Sequence, residues 1–373
     1  METKRITINI ENLDSDAIKE AASIVDSGGL VAFPTETVYG IAARVKNNTL
    51  SKLNIVKGRP KNKHYTLHIA DNNDVLKYVP NIPLRTRKLI QNAWPGPLTI
   101  VFALEPDEVN IQQTTLGKET FSVLYKDGTI GVRCPDNPVA TALLKEIKCA
   151  VVAPSANISN QPPAINADQV LEQLDGKIDM VLDAGQCQFR KSSTVVRIDN
   201  RVIEILREGA YSKMELDMLS QIKVLFVCTG NTCRSPMAEG VFKKYLAEKL
   251  NFKVDELEQM GYKVSSAGII GSSGHPATPE AVAACASQGV DIGNHRNQGL
   301  TRELIEESDF IFTMEKIHLL RTLMLTPDAK NRCLLLAGNK EILDPIGQPQ
   351  RIYDNCVKII TKAVKERISE LIT

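Results

Sequence analysis

Two cysteines five positions apart, Cys228 and Cys233, lie in the stretch KVLFVCTGNTCRSPMAEG and are followed directly by Arg234 and Ser235. Such residues could form a metal site, a disulfide or a site with one nucleophilic thiol. The eight cysteines of the chain include no Cys-x-x-Cys pair, a pattern that suits reduced thiols better than a zinc cage or a disulfide framework. We therefore interpret Cys228 as a candidate nucleophile.

The same stretch supplies what a thiol needs to attack a phosphorylated substrate. The apolar run Val224–Val227 predicts a strand, and Pro236 is expected at the first helical position, where its missing N–H costs nothing. The turn between them would direct backbone N–H groups and Arg234 at a phosphate near the positive end of the helix. We expect this field to lower the pKa of Cys228 well below the free value of about 8.5, and Ser235 to donate a hydrogen bond to the sulfur.

Polar fragments of the N-terminal half form a second group of candidates. GLVAFPTETVYGIAA contains Thr35, and VKGRPKNKHYTLHIAD places Lys57 and Arg59 on one turn. Further fragments are TIGVRCPDNP, APSANIS, SSTVVRI and EILREGA. Each fragment alone is a weak signal, because two neighbouring cations are usually a solvated helix end.

The elements that must position the N-terminal candidates are mixed helices and strands. Apolar residues at helical spacing in DSDAIKEAASIVDSGG predict a helix that ends at Gly28 and Gly29. Short strands are predicted in LVAFPTETVYGIAA, YTLHIAD, LTIVFAL, TIGVRCP and AVVAPSAN. Helices are expected around residues 50–56, 85–93 and 139–148. This half is therefore predicted to be a mixed α/β domain.

The C-terminal half shows a more regular alternation. The segment 207–221 interrupts the pattern, and we place the boundary there, with a linker at 211–221. The strands KVLFVC, YKVSSAG and DFIFTM then alternate with the helices PMAEGVFKKYLAEKL, TPEAVAACASQG and TRELIEES, and a long helix follows from about Tyr353. Such alternation predicts a doubly wound parallel sheet.

Composition and charge exclude several classes of protein. The 373 residues are too many for one ordinary core, and 43% hydrophobic with 24% charged residues is typical of a soluble globular protein. Lys+Arg and Asp+Glu number 26 and 26 up to residue 221 and 19 and 18 beyond it, so neither half is a bulk polyanion binder. The N-terminus has no signal-peptide pattern, no run is apolar enough for a membrane span, and we expect a cytoplasmic protein.

Residues 222–373 resemble the low-molecular-weight protein tyrosine phosphatases and their protein arginine phosphatase relatives. The resemblance implies that Cys228 attacks phosphorus, Arg234 binds the phosphoryl oxygens and Asp344, of EILDPIGQP, protonates the leaving group before water hydrolyses the thiophosphate. The phosphate loop would further comprise Thr229, Gly230, Asn231, Thr232, Cys233 and Ser235. No metal and no cofactor are expected for this domain.

Departures from the tyrosine-directed pattern bear on the substrate. Ile346 and Gly347 stand where those enzymes carry aromatic residues, and Thr232 stands where they carry isoleucine, as in the arginine phosphatase branch. We expect phosphoarginine, with phosphotyrosine as the other candidate. The family also includes arsenate reductases, and Cys233 is either a packed small side chain or a partner for a reversible disulfide with Cys228.

Residues 8–210 resemble the Sua5/YciO/YrdC family of threonylcarbamoyl-AMP synthases, in which no P-loop holds the nucleotide. The resemblance implies a twisted mixed α/β domain that converts L-threonine, bicarbonate and ATP to threonylcarbamoyl-AMP and pyrophosphate, with Mg²⁺ accompanying ATP. ATP would be held by Lys57, Arg59, Thr129, Ser155, Asn157 and Arg207. Threonine would be held by Thr35, His68, Arg133 and Ser193.

The combined resemblance predicts a bifunctional enzyme. Its expected partners are a transferase complex that forms threonylcarbamoyladenosine in tRNA, tRNA itself and phosphorylated proteins, without a membrane. In the alternative function, the first domain is an RNA-binding module of the same fold and only a phosphotyrosine-directed phosphatase is catalytic. Carbamoyl transfer in hydrogenase maturation is disfavoured, because the chain has neither the zinc-finger nor the acylphosphatase segment of those proteins.

Overall fold

A computed structural model describes residues 2–60, 64–198, 202–271 and 273–372. The chain forms two compact units, Met1–Ile82 with Thr86–Leu219 and Pro83–Arg85 with Ser220–Thr373. Each unit has its own sheet and its own buried apolar residues. None of the helices in the described part of the chain is long and apolar enough to cross a membrane.

The N-terminal sheet is mixed. Its strands are β1 (Lys4–Thr7), β2 (Val31–Phe33), β3 (Gly40–Arg44), β4 (Thr66–His68), β5 (Leu98–Ala103), β6 (Tyr125–Lys126), β7 (Thr129–Arg133), β8 (Val151–Val152), β9 (Met180–Asp183), β10 (Thr194–Ile198) and β11 (Ile203–Arg207). They pair in the order β1-β9-β2-β3-β8-β4-β7-β5-β10-β11, and β6 pairs with β7. The helices are α1 (Ser15–Asp26), α2 (Asn47–Lys57), α3 (Leu84–Ala93), α4 (Pro106–Leu116), α5 (Lys118–Leu124), α6 (Pro138–Glu146), α7 (Ala167–Leu174) and α8 (Lys213–Ser220).

Both faces of this sheet are covered. In β2, Val31 and Phe33 belong to one buried cluster and Ala32 to another, and in β3 Ala42 and Ile41 divide in the same way. Because successive strand residues point to opposite faces, the two clusters lie on the two sides of the sheet. A strand that is buried on both faces has a short continuous run of apolar residues in the sequence, as in LVAF.

The C-terminal sheet is parallel throughout, with strand order β13-β12-β14-β15. Its strands are β12 (Ile222–Cys228), β13 (Tyr262–Gly268), β14 (Phe310–Thr313) and β15 (Cys333–Leu335). The helices are α9 (Arg234–Leu250), α10 (Pro279–Ala286), α11 (Arg302–Glu307), α12 (Lys316–Leu325) and α13 (Gln350–Leu371). In β12, Val224 and Phe226 join one buried cluster and Leu225 and Val227 another. Helices thus cover both faces, and the predicted fold class is confirmed for both halves.

Some boundaries differ from the sequence predictions. Helix α9 begins at Arg234, so Pro236 is its third residue; the first turn of a helix has free N–H groups, which is why proline is tolerated there. The segment 211–221, expected as a linker, contains helix α8, and Leu216 of that helix is fully buried in the core of the first unit. Several elements among the described residues had no counterpart in the sequence predictions: the helices α4, α5, α7, α8 and α12 and the strands β1, β6, β9, β10, β11 and β15.

Candidate active sites

A cavity of about 620 Å³ in the first unit collects most of the N-terminal candidates. Seven of the ten predicted residues line it: Thr35, Arg59, His68, Arg133, Ser155, Ser193 and Arg207. They come from strand ends and loops that are distant in sequence. The lining residues that the structure describes include three arginines and no carboxylate, so the cavity is suited to an anion.

Lys57 and Asn157 act on this cavity through the loop that carries Ser155. The buried Lys57 ammonium donates to the carbonyl oxygens of Ser155 and Asn157, and Ser155 Oγ donates to Asn157 Oδ1 at 2.5 Å. Neither residue lines the cavity. Lys57 and Asn157 therefore stabilise the conformation of the loop that carries Ser155, without lining the cavity themselves.

Thr129 is not brought to the cavity. It lies at the start of β7, whereas Arg133 ends that strand, and its hydroxyl donates to the carbonyl of Lys126. Four residues of extended strand separate the two side chains by about 13 Å. Thr129 is thus not in the lining of the cavity, and its assignment to the nucleotide stays a prediction.

Arg59 and Arg133 each keep a buried Nε that lacks a hydrogen-bond partner in the described structure. Arg59 lies 4.8 Å from the ring centre of Tyr65, and burial lowers its pKa. Arg133 donates to Glu36 at 2.8 Å and to Thr37 at 2.7 Å. Both guanidinium groups belong to the lining of the cavity, where they can offset the charge of an anionic ligand.

His68 lies in the same cavity as a neutral ring. Burial, with the charge of Arg133 as a further cause, lowers the pKa of His68 to about 3. Its Nδ1 is 3.1 Å from the carbonyl oxygen of Thr66. A carbonyl can only accept, so Nδ1 carries the proton and Nε2 is left as an acceptor.

Residues that sequence reasoning had not assigned complete this site. Glu36 is buried, pairs with Arg133 and accepts from the backbone N–H of Asp136 at 3.1 Å. Thr99 Oγ1 lies 3.1 Å from Ser193 Oγ, and Arg207 donates to both the carbonyl and the hydroxyl of Ser193. The sequence signal for Glu36 was its place in the polar run Pro-Thr-Glu-Thr between two strands.

In the second unit, the phosphate-loop residues 228–235 join the end of β12 to the start of α9. Cys228 Sγ lies 2.9 Å from Ser235 Oγ and accepts from the N–H of Asn231 at 3.3 Å. Asn231 has a φ of 54°, and its side-chain amide donates to Ser235 and to Ser266. These bonds hold the loop curled around the sulfur.

Arg234 connects this loop to two carboxylates. Its Nη2 donates to Asp344 Oδ2 at 2.5 Å, and its Nη1 donates to Glu315 and to the carbonyl of Ile342 at 2.9 Å. The Nε of Arg234 is buried and has no partner among the described residues. Asp344, 116 residues beyond Cys228 in sequence, is thus within reach of the same guanidinium.

The expectation of a lowered Cys228 pKa is wrong for this structure. Burial raises the pKa of Cys228, against the lowering effects of its hydrogen bonds from Ser235 and Asn231 and of the Arg234 charge. The thiol is almost completely buried, and two carboxylates offset the charge of Arg234. Desolvation of the thiolate is therefore the dominant cause.

Cys233 is a buried free thiol in the second half of the loop. Its Sγ lies 3.5 Å from Thr278 Oγ1 and 3.8 Å from Tyr353 Oη. The structure shows it as a packed side chain, one of the two roles that the sequence left open. Thr232 is half-buried, and its Oγ1 lies 3.8 Å from Cys233 Sγ.

Comparisons with known proteins divide the chain in the same way. Residues 23–209 match the Sua5/yciO/yrdC family, described as telomere recombination, and residues 223–372 match the low molecular weight phosphotyrosine protein phosphatase family. Threonylcarbamoyl-AMP synthase of Bacillus subtilis is 33% identical over 221 residues, covering 58% of this chain and 61% of the relative. The Pyrococcus abyssi enzyme of that name is 31% identical over 291 residues, covering 73% of this chain and 82% of the relative.

A solved structure shows the same fold. The crystal structure of P. abyssi Sua5 complexed with L-threonine aligns with a TM-score of 0.52 at 20% identity, covering 97% of this chain and 98% of that one.

Proposed function

Because this chain belongs to the Sua5/YciO/YrdC family and continues into a low-molecular-weight phosphatase domain, we propose that it is a threonylcarbamoyl-AMP synthase joined to a cysteine-dependent protein phosphatase. In the first unit, one observation carries the proposal: Arg59, Arg133 and Arg207 line a single cavity whose described lining includes no carboxylate. In the second unit, the corresponding observation is the curled loop that places Cys228, Ser235 and Arg234 together.

The synthase reaction needs positioning and charge neutralisation. The amine of threonine condenses with bicarbonate and water is lost, and an oxygen of the resulting carbamate attacks the α-phosphate of ATP, with pyrophosphate as the leaving group. Arg59 and Arg207 would offset the phosphate charge, while Lys57 holds the Ser155 loop in shape. Preorganised donors stabilise charge that develops in the transition state, which is the main catalytic contribution available here.

Threonine would bind on the other side of the cavity. Arg133, oriented by Glu36 and Thr37, would take the substrate carboxylate, as guanidinium groups bind carboxylates with two parallel hydrogen bonds. The acceptor Nε2 of His68 would accept a hydrogen bond from the hydroxyl group of threonine. Serine has the same hydroxyl, so discrimination against it would rest on the buried apolar contacts of the methyl group.

Magnesium would enter as the complex with ATP. No group of three His, Cys, Asp or Glu side chains among the described residues is arranged to hold a metal ion. Mg²⁺ commonly binds through substrate phosphates with several retained waters, and such an ion would neutralise the leaving pyrophosphate.

Pyrophosphate release tests the synthase. The full chain is incubated with ATP, bicarbonate and Mg²⁺, with and without L-threonine, and Arg133→Gln serves as the variant that loses the carboxylate partner. Release that depends on threonine and falls in the variant is expected. Release that ignores threonine would remove the synthase proposal.

The phosphatase reaction would take place in this loop, with Cys228 reacting as the thiolate. Cys228 attacks phosphorus, Arg234 and the loop N–H groups hold the equatorial oxygens, and Asp344 protonates the leaving group. Ser235, 2.9 Å from the sulfur, stabilises the thiolate as it forms and as it leaves. Water then hydrolyses the thiophosphate, with Asp344 as the base.

Phosphoarginine is the preferred substrate in this proposal. Around Asp344 the exposed side chains are Leu343 and Ile346, and Gly347 follows, so no aromatic ring from residues 343–347 can stack on a phenyl group. Among the described residues, the hydroxyl of Thr232 has only a long contact to the sulfur of Cys233, which leaves it available to a polar guanidinium. Both observations favour a polar leaving group over a phenol.

Parallel kinetics decide the preference. kcat/KM is measured on phosphoarginine and phosphotyrosine, with Cys228→Ser as the blank and Thr232→Ile as the variant that removes the hydroxyl. A ratio of about a hundredfold for phosphoarginine, equal to about 2.7 kcal/mol of transition-state free energy, is expected to shrink in Thr232→Ile. A wild-type ratio that favours phosphotyrosine would overturn the preference while leaving the phosphatase intact.

The partners follow from these activities. Threonylcarbamoyl-AMP would be consumed by a transferase that forms threonylcarbamoyladenosine in tRNA, and the phosphatase would act on phosphorylated proteins. ATP, tRNA and such proteins are found together in the cytoplasm, which is the location we propose.

A further inference from the structure

Thr229, the residue directly after the nucleophile, has a hydroxyl whose two acceptor positions are both occupied. Arg234 Nη2 donates to Thr229 Oγ1 at 3.0 Å, and His318 Nε2 lies 2.9 Å from the same oxygen. Thr229 therefore sits between the guanidinium and a buried imidazole. The direction of the His318 contact depends on which ring nitrogen carries the proton.

The backbone decides the tautomer of His318. Its Nδ1 accepts from the backbone N–H of Glu315 at 3.1 Å, at the start of α12. A nitrogen that accepts cannot carry the proton of a neutral imidazole, so Nε2–H donates to Thr229. Burial, together with the charge of Arg234, lowers the pKa of His318 to about 4, which keeps the ring neutral. Glu315 Oε2 is 3.7 Å from Nε2, too far for a hydrogen bond.

These two contacts fix the direction in which the O–H group of Thr229 can donate a hydrogen bond. With Cβ and two donors in place, the O–H has one tetrahedral direction left, and the part of the chain that the structure describes supplies no acceptor for it. Thr229 is half-buried and directly follows Cys228 in the sequence. It shares Arg234 Nη2 with Asp344 Oδ2, an anionic oxygen 2.5 Å from that nitrogen.

We propose that Thr229, oriented by Arg234 and by His318 as a positioning residue, donates its hydroxyl proton in a hydrogen bond to a phosphoryl oxygen of the substrate. The inference rests on the proposed phosphatase function and adds a side-chain donor to the backbone N–H groups of the loop. Hydrogen bonds to charged acceptors are about twice as strong as neutral ones. His318 acts only through Thr229 and does not touch the substrate.

Inhibition by inorganic phosphate tests the proposal without relying on turnover of a particular phosphoprotein. Hydrolysis of p-nitrophenyl phosphate by the full chain is measured with increasing phosphate. Thr229→Val, which keeps the shape of the side chain, is expected to weaken phosphate inhibition about tenfold or more, and Thr229→Ser to restore it to within about threefold. Thr361→Val is the matched control, because its buried hydroxyl has no partner in the described structure and lies on α13.

Single and double variants test whether His318 affects phosphate binding through Thr229. His318→Gln keeps an N–H near the position of Nε2 and is expected to bind phosphate nearly as the wild type does, whereas His318→Asn is too short and weakens binding. In a Thr229→Val background, His318→Asn is expected to cause no further loss. His275→Gln, at an exposed residue of the same unit, is the control.

Three results would be decisive against this inference. If wild type and Thr229→Val bind phosphate equally, Thr229 is not a donor to the phosphoryl group. If the losses of phosphate affinity in His318→Asn and Thr229→Val are fully additive in the double variant, His318 does not act through Thr229. If the wild type hydrolyses no p-nitrophenyl phosphate and does not bind inorganic phosphate, the proposed phosphatase function itself is wrong. This result is distinct from failure of the Thr229 proposal alone, in which the wild type is active.

Discussion

The buried pair of Glu36 and Arg133 predicts a large and localised effect of Glu36→Gln. The side chains are only 2% and 7% exposed, and their charged atoms are 2.8 Å apart. Glutamine can still accept from Arg133, but its amide N–H₂ then meets the N–H of Asp136, which donates to the second oxygen of Glu36 at 3.1 Å. Arg133 is left as a buried charge without a counter-ion, a change that costs about 3–5 kcal/mol in comparable pairs.

Urea denaturation of the full chain measures this cost. Trp94 is the single tryptophan and is buried in the first unit, so its fluorescence reports unfolding of that unit alone. The free energy of unfolding in Glu36→Gln is expected to fall by about 3 kcal/mol, and the affinity for L-threonine, measured by calorimetry, to fall with it because Arg133 loses its orientation.

An exposed ion pair serves as the control for the buried one, and a double variant tests whether the unpaired charge causes the loss of stability. Glu20, which pairs with Lys4 at 2.6 Å, is 45% exposed, and Glu20→Gln is expected to change stability by no more than about 0.5 kcal/mol. Removing both charges in Glu36→Gln with Arg133→Gln is expected to recover part of the loss. If Glu36→Gln unfolds like Glu20→Gln, the buried pair neither stabilises the unit nor orients Arg133.

Three further predictions follow from the titrating groups of the two sites. The pKa of His68 is about 3 in the folded chain and about 6.5 in the unfolded chain, so the unfolded chain binds more protons between these pH values. The free energy of unfolding therefore decreases as the pH falls from about 6.5 to about 3. His68→Asn is expected to flatten the dependence of the urea midpoint on pH in this range. Asp344→Asn is expected to slow hydrolysis of phenyl phosphate by about 10²–10⁴ and of p-nitrophenyl phosphate much less, since nitrophenolate leaves without a proton; equal losses would argue against Asp344 as the acid. Glu315→Gln is expected to lower the Cys228 pKa by freeing the charge of Arg234, seen as faster alkylation by iodoacetamide at neutral pH, and an unchanged pH profile would contradict this electrostatic account.

Local features of the sites could be predicted from the sequence. The strand, turn and helix of the phosphate loop lie within one continuous stretch, so the proximity of Cys228, Arg234 and Ser235 follows from the spacing. The parallel sheet of the second unit follows from regular alternation of apolar strands and helices, whose period is visible in the chain.

Features that depend on distant contacts could not be predicted. Glu36 and Arg133 are 97 residues apart, and His318 reaches Thr229 from α12, a helix that the apolar pattern did not indicate. The Cys228 pKa is raised mainly by burial of the thiol, which is not visible in the local sequence. The distance of Thr129 from the cavity depends on the length of a strand whose other end carries Arg133, and the local fragment does not show this distance.

The central claim is that one chain contains a threonine-dependent adenylating site and a separate thiol phosphatase site. The most direct measurement is pyrophosphate release by wild type and Cys228→Ser in the presence of ATP, bicarbonate, Mg²⁺ and L-threonine, with phosphatase activity followed in the same preparations. We predict threonine-dependent release in both proteins and phosphatase activity only in the wild type. Phosphatase activity without any threonine-dependent release would contradict the claim and favour an RNA-binding role for the first unit.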